Sequence, residues 1–292
     1  MSTEVIDAHC HAGLGDGFRG PWDTEARLDR YLIRARQAGI NRTAVFPVFN
    51  SDYAAANERL AKIVAKLPDR LIGYAAVDPA RDAGRVDRMI GRAVEVYGFR
   101  GIKVHGHDSL PKREVCDVAR RWGLPMLVDI VKKTAAVEMM ASQYPDVNFI
   151  VPHMGGFADD WMVNLQIIDQ LSRLPNVYAD TSGVRYFDAL VEAVRRAGPH
   201  KLIFGSDGPQ LHPAVELHKV QMLGLPTAQQ ALVTGGNISR LLGPDAPPSL
   251  ARSASAQRPV EVLGDRLRAG QPPVQRKPCG AHHESRRHRA NL

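Results

Sequence analysis

His9 and His11 stand two residues apart in VIDAHCHAG, just after an apolar run. Side chains two apart on a strand share a face, so the two imidazoles aim together while Cys10 aims away. Neutral imidazole is a good ligand for zinc and other first-row divalent ions, which makes HxH a natural two-point metal grip. Taken alone it could equally be two polar residues closing a strand. Further along, residues of the same kind close other apolar runs: Lys103 and His105 in GIKVHG, Asp129 in PMLVDI, His153 in VNFIVPHM and Asp207 in KLIFGSD. Asp207 would add charge to the two imidazoles while leaving coordination positions open for water, as a catalytic metal requires. Together the residues point to metal-assisted chemistry.

Something must bring positions so far apart in the chain together. Eight short β-rich runs are expected as strands: 5–12, 42–48, 71–78, 101–106, 125–130, 147–154, 177–183 and 201–207. Between them lie amphipathic stretches such as TEARLDRYLIRARQAG, PKREVCDVARRWG and FDALVEAVRRAG, several closed by a helix-ending Gly or Pro. Eight βα units with near-continuous apolar strands imply a parallel sheet covered by helices, and eight is the number that closes a (β/α)8 TIM barrel. No GxGxxG follows the first strand and no P-loop is present, so an open nucleotide-binding sheet is disfavoured. A barrel keeps its chemistry at the C-terminal ends of its strands, where these residues fall.

Composition sets the outer limits. With 292 residues, 44% apolar and 24% charged, the chain has the makeup of a globular protein with ample core, and neither a fibre nor a wholly disordered polymer. No run approaches the roughly 18 apolar residues of a membrane span, and the first residues lack the layout of a secretory signal, so the expected location is the cytoplasm. Three widely spaced cysteines argue against a disulfide framework or a thiolate zinc site. The net charge of +7 is uneven: from Asp245 onward nine Lys/Arg face four Asp/Glu, which leaves only +2 for residues 1–244. A nucleic-acid partner is therefore not expected for the barrel domain, residues 1–244. Residues 245–292 hold six prolines and no aromatic residue. They read as a disordered tail, either a solvated extension or a basic arm for an anionic partner.

The order of IDAHCH, RGIKVHG, FIVPHMGG, KLIFGSDGP and GGNISRLLG over residues 5–243 resembles the amidohydrolase superfamily. Within it, the chain is similar to the amidohydrolase-related group that includes aminocarboxymuconate semialdehyde decarboxylase and several small-acid hydrolases and lactonases. The resemblance implies a distorted TIM barrel with one divalent ion, usually zinc, held by His9, His11, a strand 5 histidine and Asp207. It also implies that His153 helps to bind or polarise the substrate or the attacking water, and it allows a homodimer. One departure stands out, because this chain has Asp129 where the family commonly has the strand 5 histidine. Two histidines and two aspartates would make a more anionic site, favouring a harder ion such as manganese. Asp129 could instead orient a ligand histidine, or the site could bind no metal at all.

Lys103 and His105 share a face and are candidates to contact a substrate carboxylate, with Arg185 in DTSGVRYFD a weaker one. The expected reaction is hydrolysis of an amide, ester or lactone in a small carboxylated substrate by a metal-activated water, with Asp207 accepting its proton and His153 steadying the oxyanion. The alternative is a non-oxidative decarboxylation in the same pocket. A barrel that has lost its metal and only binds ligands is a further reading. A related TatD-like nuclease is disfavoured, since it would carry an acidic ligand where Lys103 stands.

Overall fold

A computed structural model describes residues 4–20, 25–157 and 160–244, so the expected tail at 245–292 lies outside the described residues. Eight strands alternate with helices: β1 (Ile6–Ala12), β2 (Arg42–Pro47), β3 (Leu71–Ala76), β4 (Gly101–Val104), β5 (Met126–Val128), β6 (Phe149–Val151), β7 (Val177–Asp180) and β8 (Leu202–Ile203). All seven successive pairs are parallel, in the spatial order β1 to β8. The barrel closes where the Ala8 amide donates to the Phe204 carbonyl at 3.0 Å and the His11 amide to that of Gly208 at 2.6 Å. The chain is a (β/α)8 TIM barrel, as the alternation predicts.

The helices α1 (Leu28–Gln37), α2 (Tyr53–Val64), α3 (Val86–Glu95), α4 (Arg113–Trp122), α5 (Thr134–Gln143), α6 (Trp161–Arg173), α7 (Phe187–Ala197) and α8 (Pro213–Gln221) follow their strands. Their ends obey local chemistry. Asp52 caps α2 by accepting from the amides of Ala54 and Ala55, and α4 stops at Gly123, whose φ of 62° suits a residue without Cβ. Short α9 (Thr227–Ala231) leads to α10 (Asn237–Leu242). Ile238 and Leu241 of α10 join the inward side chains Ile6, Ala44, Ile72, Leu127, Ile150 and Ile203 in one buried cluster inside the barrel. The outward strand side chains pack with the helices in a second, larger cluster.

Two departures from the sequence reading matter for the site. Strands 5, 6 and 8 end at 128, 151 and 203 rather than at 130, 154 and 207. The polar residues beyond them sit in turns, and three of the turn residues, Val131, His153 and Asp207, have φ of 46°, 56° and 54°. This left-handed region is costly for side chains other than glycine, on the order of 1–2 kcal/mol each. The second departure is in β1, which carries one residue more than β2 between the pairs Asp7–Thr43 and Cys10–Val45. Such a bulge reverses which side chains face inward. Ile6 and Ala8 face the barrel interior below it, Asp7 turns outward to the Tyr31 hydroxyl of α1, and His9 and His11 then face inward with Cys10 outward.

Candidate metal centre

The inward faces of β1, β2, β4 and β7 and the turns after β6 and β8 meet at one end of the barrel. His9 Nε2 lies 3.2 Å from Asp207 Oδ1, and His11 Nε2 lies 3.1 Å from the same oxygen. These three residues offer ligand atoms all within 4.8 Å of one another. His9 Nδ1–H donates to Asp180 Oδ2 at 2.6 Å, which fixes the tautomer and leaves the Nε2 lone pair facing Asp207 and His11. His9 Nε2 is buried and makes no hydrogen bond. An orphaned, correctly oriented imidazole nitrogen beside a second imidazole and a carboxylate is the donor set a divalent ion needs, and the site fits one.

A second group, His9, His153 and Asp180, is also close enough to hold an ion. Its carboxylate is already committed. Asp180 Oδ1 accepts from the amides of His153 (2.9 Å) and Ser182 (3.0 Å) and from Ser182 Oγ (2.7 Å), while Oδ2 accepts from His9. Asp180 thus orients one candidate ligand and pins the turn that carries His153. Gly205 makes room for this contact, since a Cβ there would lie 2.9 Å from His9 Cβ and 3.2 Å from the Asp180 carboxylate.

The electrostatics favour a cation between these groups. Burial works against charge on His9, but the Asp180 carboxylate outweighs it and raises the ring to about 9. Burial lowers His11 to about 4 in spite of its bond to Asp207. Asp207 and Asp180 stay ionised although burial opposes it: the His11 and His9 rings beside it hold Asp207 well below the usual carboxylate range, and the His9 charge and hydrogen bond bring Asp180 to about 2. Two ionised carboxylates flanking His9 call for the positive charge that a metal at Nε2 would bring.

The other expected residues are placed as follows. His153 is buried and its Nδ1–H donates to the Ser182 carbonyl at 2.9 Å, leaving Nε2 as its other polar atom, with the ring 5.0 Å from that of His9. Lys103, only 2% exposed, sets its ammonium 4.6 Å above the Phe46 ring and makes no hydrogen bond or ion pair among the described residues. Burial pulls it below the ordinary lysine value, opposed by the charges of Asp129, Asp207 and Asp180. His105 stacks on His11 with ring centroids 5.5 Å apart, and its Nε2 lies 3.2 Å from the Pro47 carbonyl. Arg185 is exposed in the loop after β7.

Asp129 does not join either ligand group. Its carboxylate accepts from the Val131 amide at 3.0 Å and lies 3.8 Å from His107 Nε2. The sequence reading passed over Asp180, Ser182 and Phe46. Asp180 carried the signal used elsewhere, a polar residue closing the apolar run of VYADTSG. Phe46 carried none, because an apolar residue in an apolar strand is indistinguishable from core.

The amidohydrolase family profile matches residues 6–243. The chain belongs to the amidohydrolase family. A γ-resorcylate decarboxylase from Polaromonas sp. is 25% identical over 252 residues, spanning 64% of this chain and 76% of that protein. Among solved structures, an amidohydrolase from Burkholderia multivorans with bound zinc matches at 15% identity with a TM-score of 0.67, over 82% of this chain and 99% of its own. Dihydroxybenzoic acid decarboxylase from Polaromonas sp., with bound manganese and 2-nitroresorcinol, matches at 17% identity with a TM-score of 0.61, over 82% and 97%. These two share the amidohydrolase barrel with this chain.

Replacing Asp180 with Asn tests how an amidohydrolase of this kind prepares its ligand. The Asn amide would donate to His9 Nδ1, forcing the proton onto Nε2, where it blocks coordination. Metal affinity is expected to fall about 10–100-fold in a calorimetric titration, the usual cost of losing such a partner. Unchanged affinity would show that Asp180 does not set the His9 tautomer.

Proposed function

We propose that this chain is a metal-dependent, non-oxidative decarboxylase of a small acid whose carboxyl-bearing carbon is aromatic or otherwise unsaturated. The observation that carries the reading is the Lys103 ammonium, buried on the inward face of β4 with no partner charge in contact among the described residues. An unpaired ammonium in so dry a place is costly, and a substrate carboxylate is the partner that would relieve it. The expectation of amide, ester or lactone hydrolysis gives way because the curated relative and several structural neighbours are decarboxylases.

His9 Nε2, His11 Nε2 and Asp207 would hold a divalent ion, zinc or manganese, which supplies positive charge to bind the acid and draw electrons from it. Phe46 packs against His9, His11 and Lys103 and shields the reacting carboxylate from water, which favours loss of its charge as carbon dioxide. Lys103 Nζ holds a proton that its burial makes easier to release. As the carbon–carbon bond breaks, its electron pair takes up that proton, carbon dioxide leaves, and solvent reprotonates the amine. Asp207, ionised and flanked by two imidazoles, acts as a ligand or proton acceptor rather than as the acid. His153 Nε2 is available to a polar atom of the substrate.

The test is carbon dioxide release by metal-loaded protein from 2,6-dihydroxybenzoate and from unsaturated dicarboxylates, run beside small lactones and N-acyl acids. Release with matching formation of the decarboxylated product is expected. Turnover of a lactone or N-acyl acid, with no carbon dioxide from any acid, would restore hydrolysis.

A further inference from the structure

We propose that residues 14–20, which follow β1, form a lid over the β4 side of the barrel mouth, latched by Arg19 on Asp108, and that this lid must lift to admit a small acid or a metal ion. This rests on the reading of the mouth as a site for both and names the element that controls entry to it. The segment leaves β1 at Gly13, which exchanges backbone hydrogen bonds of 3.1 and 2.8 Å with Ala26, and its side chains then reach the turns after the next three strands. Beyond β2 the Asp16 carboxylate accepts from the Ser51 amide at 2.8 Å, and beyond β3 the Arg81 guanidinium lies 4.5 Å from the Phe18 ring. Beyond β4 Arg19 donates to the Asp108 carboxylate at 3.0 Å and to the His107 carbonyl at 2.7 Å. Lys103 and His105, on β4 and just past its end, are each 2% exposed, so a ligand reaches them only if part of the rim gives way.

The segment is the part of the rim that gives way most cheaply. Leu14 and Phe18 are 58% and 49% exposed, so lifting them uncovers little apolar surface, whereas the strands and helices below are bound into the buried core. What holds the segment is largely polar, and water can replace those bonds at modest cost. Gly13 and Gly17, at φ of 93° and 79°, supply backbone freedom for a swing. The latch also communicates with the site. Asp108, its carboxylate 1% exposed, accepts the Tyr53 hydroxyl on its other oxygen at 2.6 Å, and Tyr53 stacks on His105, which stacks on His11. Seating Arg19 therefore fixes the carboxylate that holds this column of rings in place.

The experiment times trypsin cleavage after Arg19, identified by fragment mass, in the metal-loaded protein and in its Asp108→Asn and Phe18→Ala variants. Neither change removes the cleavage site, and asparagine keeps the shape of the side chain that Tyr53 contacts. Cleavage needs the lifted segment, so both variants are expected to be cut at least about fivefold faster than the wild type. Saturating 2,6-dihydroxybenzoate, its binding followed by calorimetry, is expected to slow wild-type cleavage about tenfold, because a bound acid favours the closed form. Equal cleavage of wild type and variants, or a wild-type rate that bound acid leaves unchanged, would overturn the inference. The wild-type response to the acid decides the matter even where a variant does not fold. If the acid does not bind, the acid reading fails alone and zinc release to a chelator judges the lid: release about fivefold faster from both variants supports it, and equal release sinks it.

Discussion

Lys103→Met is expected to lower carbon dioxide release by about a hundredfold or more, the usual scale for losing a positioned proton donor, while leaving metal content unchanged. Methionine nearly matches the lysine stem in length, and Lys103 makes no hydrogen bond among the described residues that the change would break. The folded protein should not suffer: a buried ammonium is held at a desolvation cost, so a thermal midpoint equal to or above that of the parent is expected. Lys103→Arg separates the two duties given to this residue. A guanidinium keeps the positive charge but cannot give up its proton, so substrate binding should survive better than turnover. Full activity in either variant would remove Lys103 from the reaction.

Asp207→Asn is expected to strip the metal. Asparagine tolerates the left-handed backbone at this position, φ 54°, better than alanine would, so the change tests the charge rather than the turn. Both His9 and His11 lie within 3.2 Å of the Asp207 carboxylate. Its neutralisation should weaken metal binding by more than the roughly 10–100-fold cost of losing a supporting partner, and activity should fall with it. Asp129→Ala, by contrast, is expected to retain stoichiometric metal by elemental analysis, because its carboxylate is bonded to the Val131 amide and stands outside the ligand group. Loss of metal from Asp129→Ala alone would identify it as the ligand that replaces the family's histidine.

The barrel was legible because it is written locally. Each apolar run long enough to cross a sheet, and each amphipathic stretch with a stop signal, is specified by residues within a few positions of one another. The strand-end residues were legible for a related reason, since a histidine or aspartate closing an apolar run is a local anomaly. His9, His11, His153 and Asp207 could be collected on that basis, and Asp180 could have been.

Pairing was another matter. His11 and Asp207 are 196 residues apart and His9 and Asp180 are 171 apart, so which carboxylate supports His9 and which faces its free nitrogen depends on barrel closure. The same holds for Asp129, whose type suggested a ligand and whose carboxylate accepts from the Val131 amide in the turn after β5. Alternation in VIDAHCHA put His9 and His11 on one face and Asp7 with them, yet the extra residue in β1 sends Asp7 out to Tyr31 and the histidines in. By itself the sequence determined the residue types, their strand ends and the shared face of the two histidines, because these follow from short-range periodicity. Only the tertiary structure decided the partners of His9 and His105, the burial of Lys103 against Phe46 and the bond from the Val131 amide to Asp129, because each depends on how the strands and their loops come together.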